Sequence, residues 1–192
     1  MSKFIVLGID QGLASCGYGI IQFKKTKKTI KVDKVLTYGL IKTTNKNTTP
    51  ERLVLIYNKL EELVNTYNPT IVSCERLFYT SPLKGNRNKS ASIITTNMVT
   101  GIIHYLAGTK NLTLKDFVPS SIKRTITGNG LAKKEEIIKT IPTLININPD
   151  EIKIEHIADA LSIAYTAAMK IDEPEEIVKK NTKTKKGDNK NE

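Results

Sequence analysis

The sequence is short of several things, and each shortage narrows what the chain can be. Its 192 residues include only two cysteines, Cys16 and Cys74. They lie far apart and form no C-x-x-C pair, which excludes a disulfide framework and fits a reducing, cytoplasmic setting. Both are expected to pack as small hydrophobic residues in strands. No apolar window approaches the ~20 residues of a membrane span. The six apolar residues after Met1-Ser2-Lys3 are too few for a signal peptide. No internal repeat is present. Acidic residues are also in deficit, 19 Asp and Glu against 30 Lys and Arg, for a net charge of +11 and a pI near 9.5.

What remains is an ordinary globular composition, 39% hydrophobic and 26% charged. The length suits one domain, expected over residues 1–170. Residues 171–192 are nearly all Lys, Asp, Glu, Asn and Thr and are expected to be a disordered charged tail. From Lys170 to Glu192 there are 7 lysines and 6 acidic residues, so the tail is almost neutral. The surplus therefore belongs to the folded body. Such a body favours a polyanionic partner, nucleic acid first, although lysine for solubility alone is the plain alternative.

Along the chain, Phe4-Ile5-Val6-Leu7-Gly8-Ile9 reads as a buried strand that ends on Asp10. A glycine turn leads to a second strand over about residues 18–23. The lysine-rich residues 24–29 read as a solvated hairpin tip, and a third strand covers residues 30–36, extendable to 41. Thr49-Pro50-Glu51 has the cap and first-turn chemistry that opens a helix. Leu53, Ile56, Tyr57, Leu60, Leu63 and Val64 follow at helical spacing until Asn68-Pro69. Residues 70–75 form a short strand that again ends on a carboxylate, Glu75.

A basic loop with aromatics is expected over residues 76–89. A helix over residues 90–106 should turn Ile93, Ile94, Met98, Ile102 and Leu106 inward and stop at Gly108. A strand over 112–118 follows, then a short helix from Pro119 broken by Gly128-Asn129-Gly130. Residues 132–141 are expected to be helical, stopped by Pro142. A last helix is expected from Asn148-Pro149-Asp150 to about Met169.

That last helix carries His156 and Asp159, three apart and so on one face. Ile154, Ile157, Leu161, Ala164 and Ala168 make a separate stripe for the core. Taken singly, Asp10 could be an Asx cap and the His–Asp pair merely structural. The order is more telling. A carboxylate closes the first strand, another closes the strand after the first long helix, and an H-x-x-D lies on the final helix. Three antiparallel strands followed by alternating helices and strands are the ribonuclease-H-like α/β arrangement, a mixed five-stranded sheet flanked by helices. Carboxylates gathered over the end of such a sheet hold hard divalent cations through oxygen.

Four stretches in order resemble the RuvC family of Holliday-junction endonucleases. They are Gly8-Ile9-Asp10-Gln11-Gly12 with Gly17-Tyr18-Gly19, Cys74-Glu75-Arg76-Leu77-Phe78, Val118-Pro119-Ser120-Ser121-Ile122-Lys123 through Gly128-Asn129-Gly130-Leu131-Ala132-Lys133-Lys134, and His156-Ile157-Ala158-Asp159-Ala160-Leu161. The resemblance implies that Asp10, Glu75, His156 and Asp159 are the catalytic, metal-binding set. They would hold two Mg²⁺ ions, with Mn²⁺ able to substitute. Two ions ~4 Å apart activate water and stabilise the leaving oxygen. Many relatives carry Asp where His156 stands. With an imidazole there, the site has one negative charge fewer, and activity is expected to fade as the ring protonates.

The resemblance also implies that Phe78 stacks in the opened junction, with Tyr79 as the alternative, and that Phe78 could instead pack beneath its loop. Lys123 and Lys134 match lysines near the scissile phosphate, and Lys133 is the adjacent alternative to Lys134. Lys84, Arg87 and Lys89 are suggested by charge alone as phosphate contacts. Paired nicks on a four-way junction need two active sites, so a homodimer is implied. A branch-migration motor is the implied further partner if the chain is cellular, and no membrane partner is expected. Three other readings stay open: a related nuclease acting on other branched DNA or on RNA–DNA hybrids, an actin-like or sugar-kinase-like ATPase sharing the first glycine motif, and a catalytically silent junction binder.

Overall fold

The computed structural model describes residues 1–76 and 87–173, with the backbone alone for residues 87–92. Strands β1 (Ser2–Asp10), β2 (Ser15–Lys25) and β3 (Ile30–Lys42) form an antiparallel meander. Helix α1 (Thr49–Tyr67) carries the chain to β4 (Ile71–Glu75), which pairs parallel to the free side of β1. Helix α2 (Arg87–Thr109) leads to β5 (Thr113–Phe117), parallel to β4. The sheet order is β3-β2-β1-β4-β5, so β1 is central. This is the mixed five-stranded sheet expected from the sequence. Helices α3 (Pro119–Thr127), α4 (Lys134–Ile145) and α5 (Glu155–Met169) follow.

Because strand side chains alternate, β1 feeds two cores. Leu7 and Ile9 face α1 and α2, with Ile56, Leu60, Val99, Ile103 and Leu106. Val6 faces α5, with Ile21, Phe23, Ile71, Ile122 and Ile141. Cys16 and Cys74 are fully buried in the first of these cores, as expected. Residues 6, 8 and 10 share one face, and 71, 73 and 75 share the same face on β4. Asp10 and Glu75 therefore stand at the carboxyl ends of adjacent parallel strands, on the α5 side. Helix α5 can lie against β1 and β2 because Gly8 and Gly17 have no side chain. A Cβ on Gly8 would collide with the Ala160 carbonyl, and one on Gly17 with the His156 carbonyl.

Several element expectations need correction. Helix α4 runs through Pro142 to Ile145 and ends at Asn146, whose left-handed backbone lets the next N–H, that of Ile147, bond back to the Pro142 carbonyl at 3.0 Å. A proline late in a helix costs one N–H but need not end it. No continuous helix begins at residue 148. Pro149–Glu151 form a single 3₁₀ turn, Ile152 drops into the core, and α5 starts at Glu155. Ile154 is then an exposed cap residue, outside the apolar stripe.

Helix α5 has no narrow stripe. Packed between the sheet and α3 and α4, it buries ten residues between Ile157 and Ala168. Helix α2 contains Gly108 and is followed by the left-handed Asn111. Its buried face is Val99, Ile103, Leu106 and Ala107, while Ile94 and Met98 are exposed. The reason is that α2 packs chiefly against α1. At the C-terminal end, Lys115 Nζ donates to the carbonyls of Lys170 and Ile171, and Asp172 pairs with Lys25. Residues 171–173 are thus tied to the body, and the rest of the expected tail, 174–192, lies outside the described residues.

Candidate active site

A cavity of about 330 Å³ opens above the carboxyl ends of β1 and β4. Asp10, Glu75, His156 and Asp159 all line it, so the four residues singled out from sequence meet in space. Each arrives by a local rule. Asp10 and Glu75 come from strand alternation, and His156 and Asp159 from one turn of α5. Lys123 on α3, Lys134 at the start of α4, and Glu155 complete the polar wall, while Pro119, Ile122 and Ile137 supply the apolar part.

His156 Nδ1 lies 2.6 Å from Asp10 Oδ2. Burial pushes the Asp10 carboxyl above its ordinary value, and the hydrogen bond and charge of His156 pull it partly back. Burial also raises Glu75, to about 7, with the Asp10 and Asp159 charges adding to the effect. Asp159 rises to about 6, again by burial first and then by the charges of Asp10 and Glu155. Burial is thus the first cause in all three carboxylates, and the Asp10 charge adds to it at Glu75 and Asp159.

This donor set, three carboxylates and an imidazole, is of the kind that suits a hard divalent cation, and an ion would relieve the crowding. As the side chains stand among the described residues, no three His, Cys, Asp or Glu groups converge on one point. Asp10 Oδ2 is instead engaged by His156.

Of the two adjacent lysines, Lys134 faces the cavity and Lys133 does not. Lys133 is the exposed N-cap of α4, its N–H bonded to the Glu136 carboxylate at 2.8 Å. Lys134 is ion-paired with Glu155, and that hydrogen bond raises its pKa. Glu155 is a site residue that the sequence reading passed over; its position beside His156 at the start of the helix was the available signal. Gln11 was likewise passed over within its motif. Its side chain is buried and bonds both backbone groups of Glu75. Arg76 leaves the site and pairs with Asp116 at 2.6 Å. Phe78, Tyr79 and Lys84 lie outside the described residues. Arg87 and Lys89 fall where the backbone alone is described, in the first turn of α2.

The family model for "Crossover junction endodeoxyribonuclease RuvC" matches residues 6–167. The crossover junction endodeoxyribonuclease RuvC of Alkaliphilus metalliredigens is 34% identical over 164 residues, covering 85% of this chain and 92% of that protein. Among solved structures, Thermus thermophilus RuvC superposes with a TM-score of 0.72 at 23% identity, covering 88% of this chain and 95% of that one. T. thermophilus RuvC in complex with Holliday junction substrate gives 0.70 at 21% identity with the same coverage. These two likenesses speak to the fold, which is ribonuclease-H-like. No helix among the described residues is long and apolar enough to cross a membrane. The family match spans most of the chain and the curated relative matches nearly end to end, so this protein belongs to the RuvC family of crossover junction endodeoxyribonucleases.

Proposed function

We propose that the chain resolves four-way DNA junctions by paired, symmetric nicks, with Asp10, Glu75, His156 and Asp159 as the residues that hold Mg²⁺, or Mn²⁺ in its place. The observation that carries this reading is the meeting of those four side chains in one cavity rimmed by Lys123 and Lys134. In this divalent-metal-dependent family, ions bound there would supply charge to activate the attacking water and to stabilise the departing 3′ oxygen. Asp10, at the end of the central strand, would hold the ions together with Glu75, His156 and Asp159. Lys123 and Lys134 would face the scissile phosphate and fix its place. The products would be 5′-phosphate and 3′-hydroxyl ends.

Phe78, or Tyr79 in its stead, would stack on an unpaired base at the junction centre, a contact tolerant of sequence. Lys84, Arg87 and Lys89 would touch phosphates along the arms. Paired cuts need two copies. The exposed Ile94, Met98 and Tyr105 lie along one stripe of α2 and support that face as the site of homodimer pairing.

The test is cleavage of a mobile, end-labelled four-way junction in Mg²⁺ or Mn²⁺, beside plain duplex and an RNA–DNA hybrid, with Asp10→Asn as control. Symmetric nicks on the junction alone, lost in the control, are expected. Preferential cutting of the hybrid would overturn the substrate. Metal-independent junction binding with no cutting would make the chain a silent binder.

A further inference from the structure

Gln11 follows directly on Asp10, and its side chain is only 6% exposed. Both ends of its carboxamide are spent on one residue. Nε2 donates to the Glu75 carbonyl at 2.6 Å, and Oε1 accepts from the Glu75 N–H at 3.1 Å. The backbone geometry explains why a side chain is needed there. The parallel ladder between β1 and β4 runs from Val6↔Ile71 to Ile9↔Cys74 and then stops. On its other edge β4 is paired to the end, Glu75↔Phe117, with the Arg76 N–H bonded to the Phe117 carbonyl at 2.8 Å. The last residue of β4 therefore lacks a backbone partner on the β1 side only. The Gln11 amide carries one donor and one acceptor in a plane, as a peptide group does, and supplies the missing rung.

Of the two residues joined in this way, Gln11 follows Asp10 in the chain and Glu75 itself carries the second strand-borne carboxylate of the cavity. Asp10 and Glu75 repel each other when ionised, and a neutral clamp between their strand ends opposes that spreading without adding charge. We infer that Gln11 is a positioning residue: its two-point bond to the Glu75 backbone fixes the Glu75 carboxylate relative to Asp10, and so sets how the pair holds divalent cations. This rests on the metal-dependent junction cleavage proposed above.

Gln11→Met keeps the bulk of the side chain and removes both bonds. In ¹⁵N-labelled, metal-free, full-length protein, amide exchange at Glu75 is expected to quicken roughly tenfold or more, while residues 6–9 keep their protection. Mn²⁺ binding by calorimetry is expected to weaken roughly 10- to 100-fold, and single-turnover junction cleavage to slow by a similar factor, with junction affinity unchanged. In a Glu75→Asp background, Gln11→Met should cost less than about threefold more, because it acts through residue 75. Should Gln11→Met fail to fold, Gln11→Asn, one methylene too short to span the gap, is expected to give the same readings.

Unchanged Glu75 exchange, unchanged Mn²⁺ affinity, or an equal cost in the Glu75→Asp background would each overturn the inference. If the wild-type protein cuts no junction, the proposed activity fails, while the exchange and Mn²⁺ measurements still decide whether the clamp organises the site.

Discussion

His156 Nδ1 and Asp10 Oδ2 stand 2.6 Å apart although 146 residues separate them in the chain. The contact joins the end of β1 to the first turn of α5 and gives the most buried carboxylate of the site its only hydrogen-bond donor among the contacts described. His156→Asp would exchange that donor for a like charge. The metal-free protein is expected to lose about 1 kcal/mol, a modest figure because the imidazole is 44% exposed. Mg²⁺ should then raise the melting temperature more in the variant than in wild type, since it gains a fourth carboxylate. The acid limb of the pH–rate profile should also move. Differential scanning fluorimetry with chelator and with Mg²⁺ checks the first point. Equal melting temperatures in chelator would show that the contact carries no stability.

The raised carboxylates make metal-free stability depend on pH in a defined direction. Glu75 at about 7 and Asp159 at about 6 hold their protons more tightly in the folded chain than in the unfolded one, where carboxylates titrate near about 4. Their folded pKa values are raised, so stability is fullest below the unfolded value and falls as pH rises through the folded values. In chelator, the contribution of this site to stability should decline between about pH 4 and 8. Glu75→Gln is expected to gain on the order of 2 kcal/mol at pH 8, to flatten that decline, and to lose junction cleavage. Urea titrations at several pH values would measure it. An unchanged slope in the variant would refute the assignment of the strain to Glu75.

Much of this site was legible because strand period and helix period are local. The alternation that puts Val6, Gly8 and Asp10 on one face, and the three-residue step from His156 to Asp159, can both be counted off the sequence. The boundaries that failed were decided by tertiary packing. Pro142 reads as a stop, yet Ile141 and Ile145 on either side of it are buried and carry the helix on. Ile94 and Met98 read as core, yet α2 turns Val99 and Ile103 inward against α1. Glu155 and Gln11 escaped notice for another reason. Each acts through a partner distant in sequence, Lys134 and Glu75, and no spacing rule announces such pairs.

Gly8 and Gly17 set the depth at which α5 seats on the sheet. A methyl at Gly17 would meet the backbone of His156 itself, and one at Gly8 the backbone of Ala160 and Ala164. Backbone cannot step aside as a flexible side chain can. Gly17→Ala is therefore expected to cost about 1–3 kcal/mol by overpacking and also to slow cleavage, because it lifts the turn that bears His156. Gly8→Ala, deeper along α5, should cost at least as much stability. Chemical denaturation and single-turnover cleavage of the two variants separate these effects. Retained full activity in Gly17→Ala would show that the start of α5 shifts without disturbing the site.

Lys134 and Lys133 are neighbours in sequence with opposite prospects. Lys134 lines the cavity and Lys133 caps a helix in solvent, so Lys134→Ala should slow cleavage by roughly 100-fold while Lys133→Ala stays within about threefold. Equal losses would mean that both act as general phosphate contacts. The Glu155 carboxylate that holds Lys134 competes with any phosphate for the same ammonium group. A lysine shared in this way gives up part of its attraction for DNA until the incoming phosphate displaces its partner. Glu155→Gln removes the competitor and one negative charge from the rim. Junction binding in chelator should then tighten, and its logarithmic dependence on salt should steepen by about one unit as Lys134 becomes a full phosphate contact. Filter binding across a salt series measures that slope. An unchanged slope would place Lys134 away from the DNA backbone and return the role of phosphate anchor to Lys123 alone.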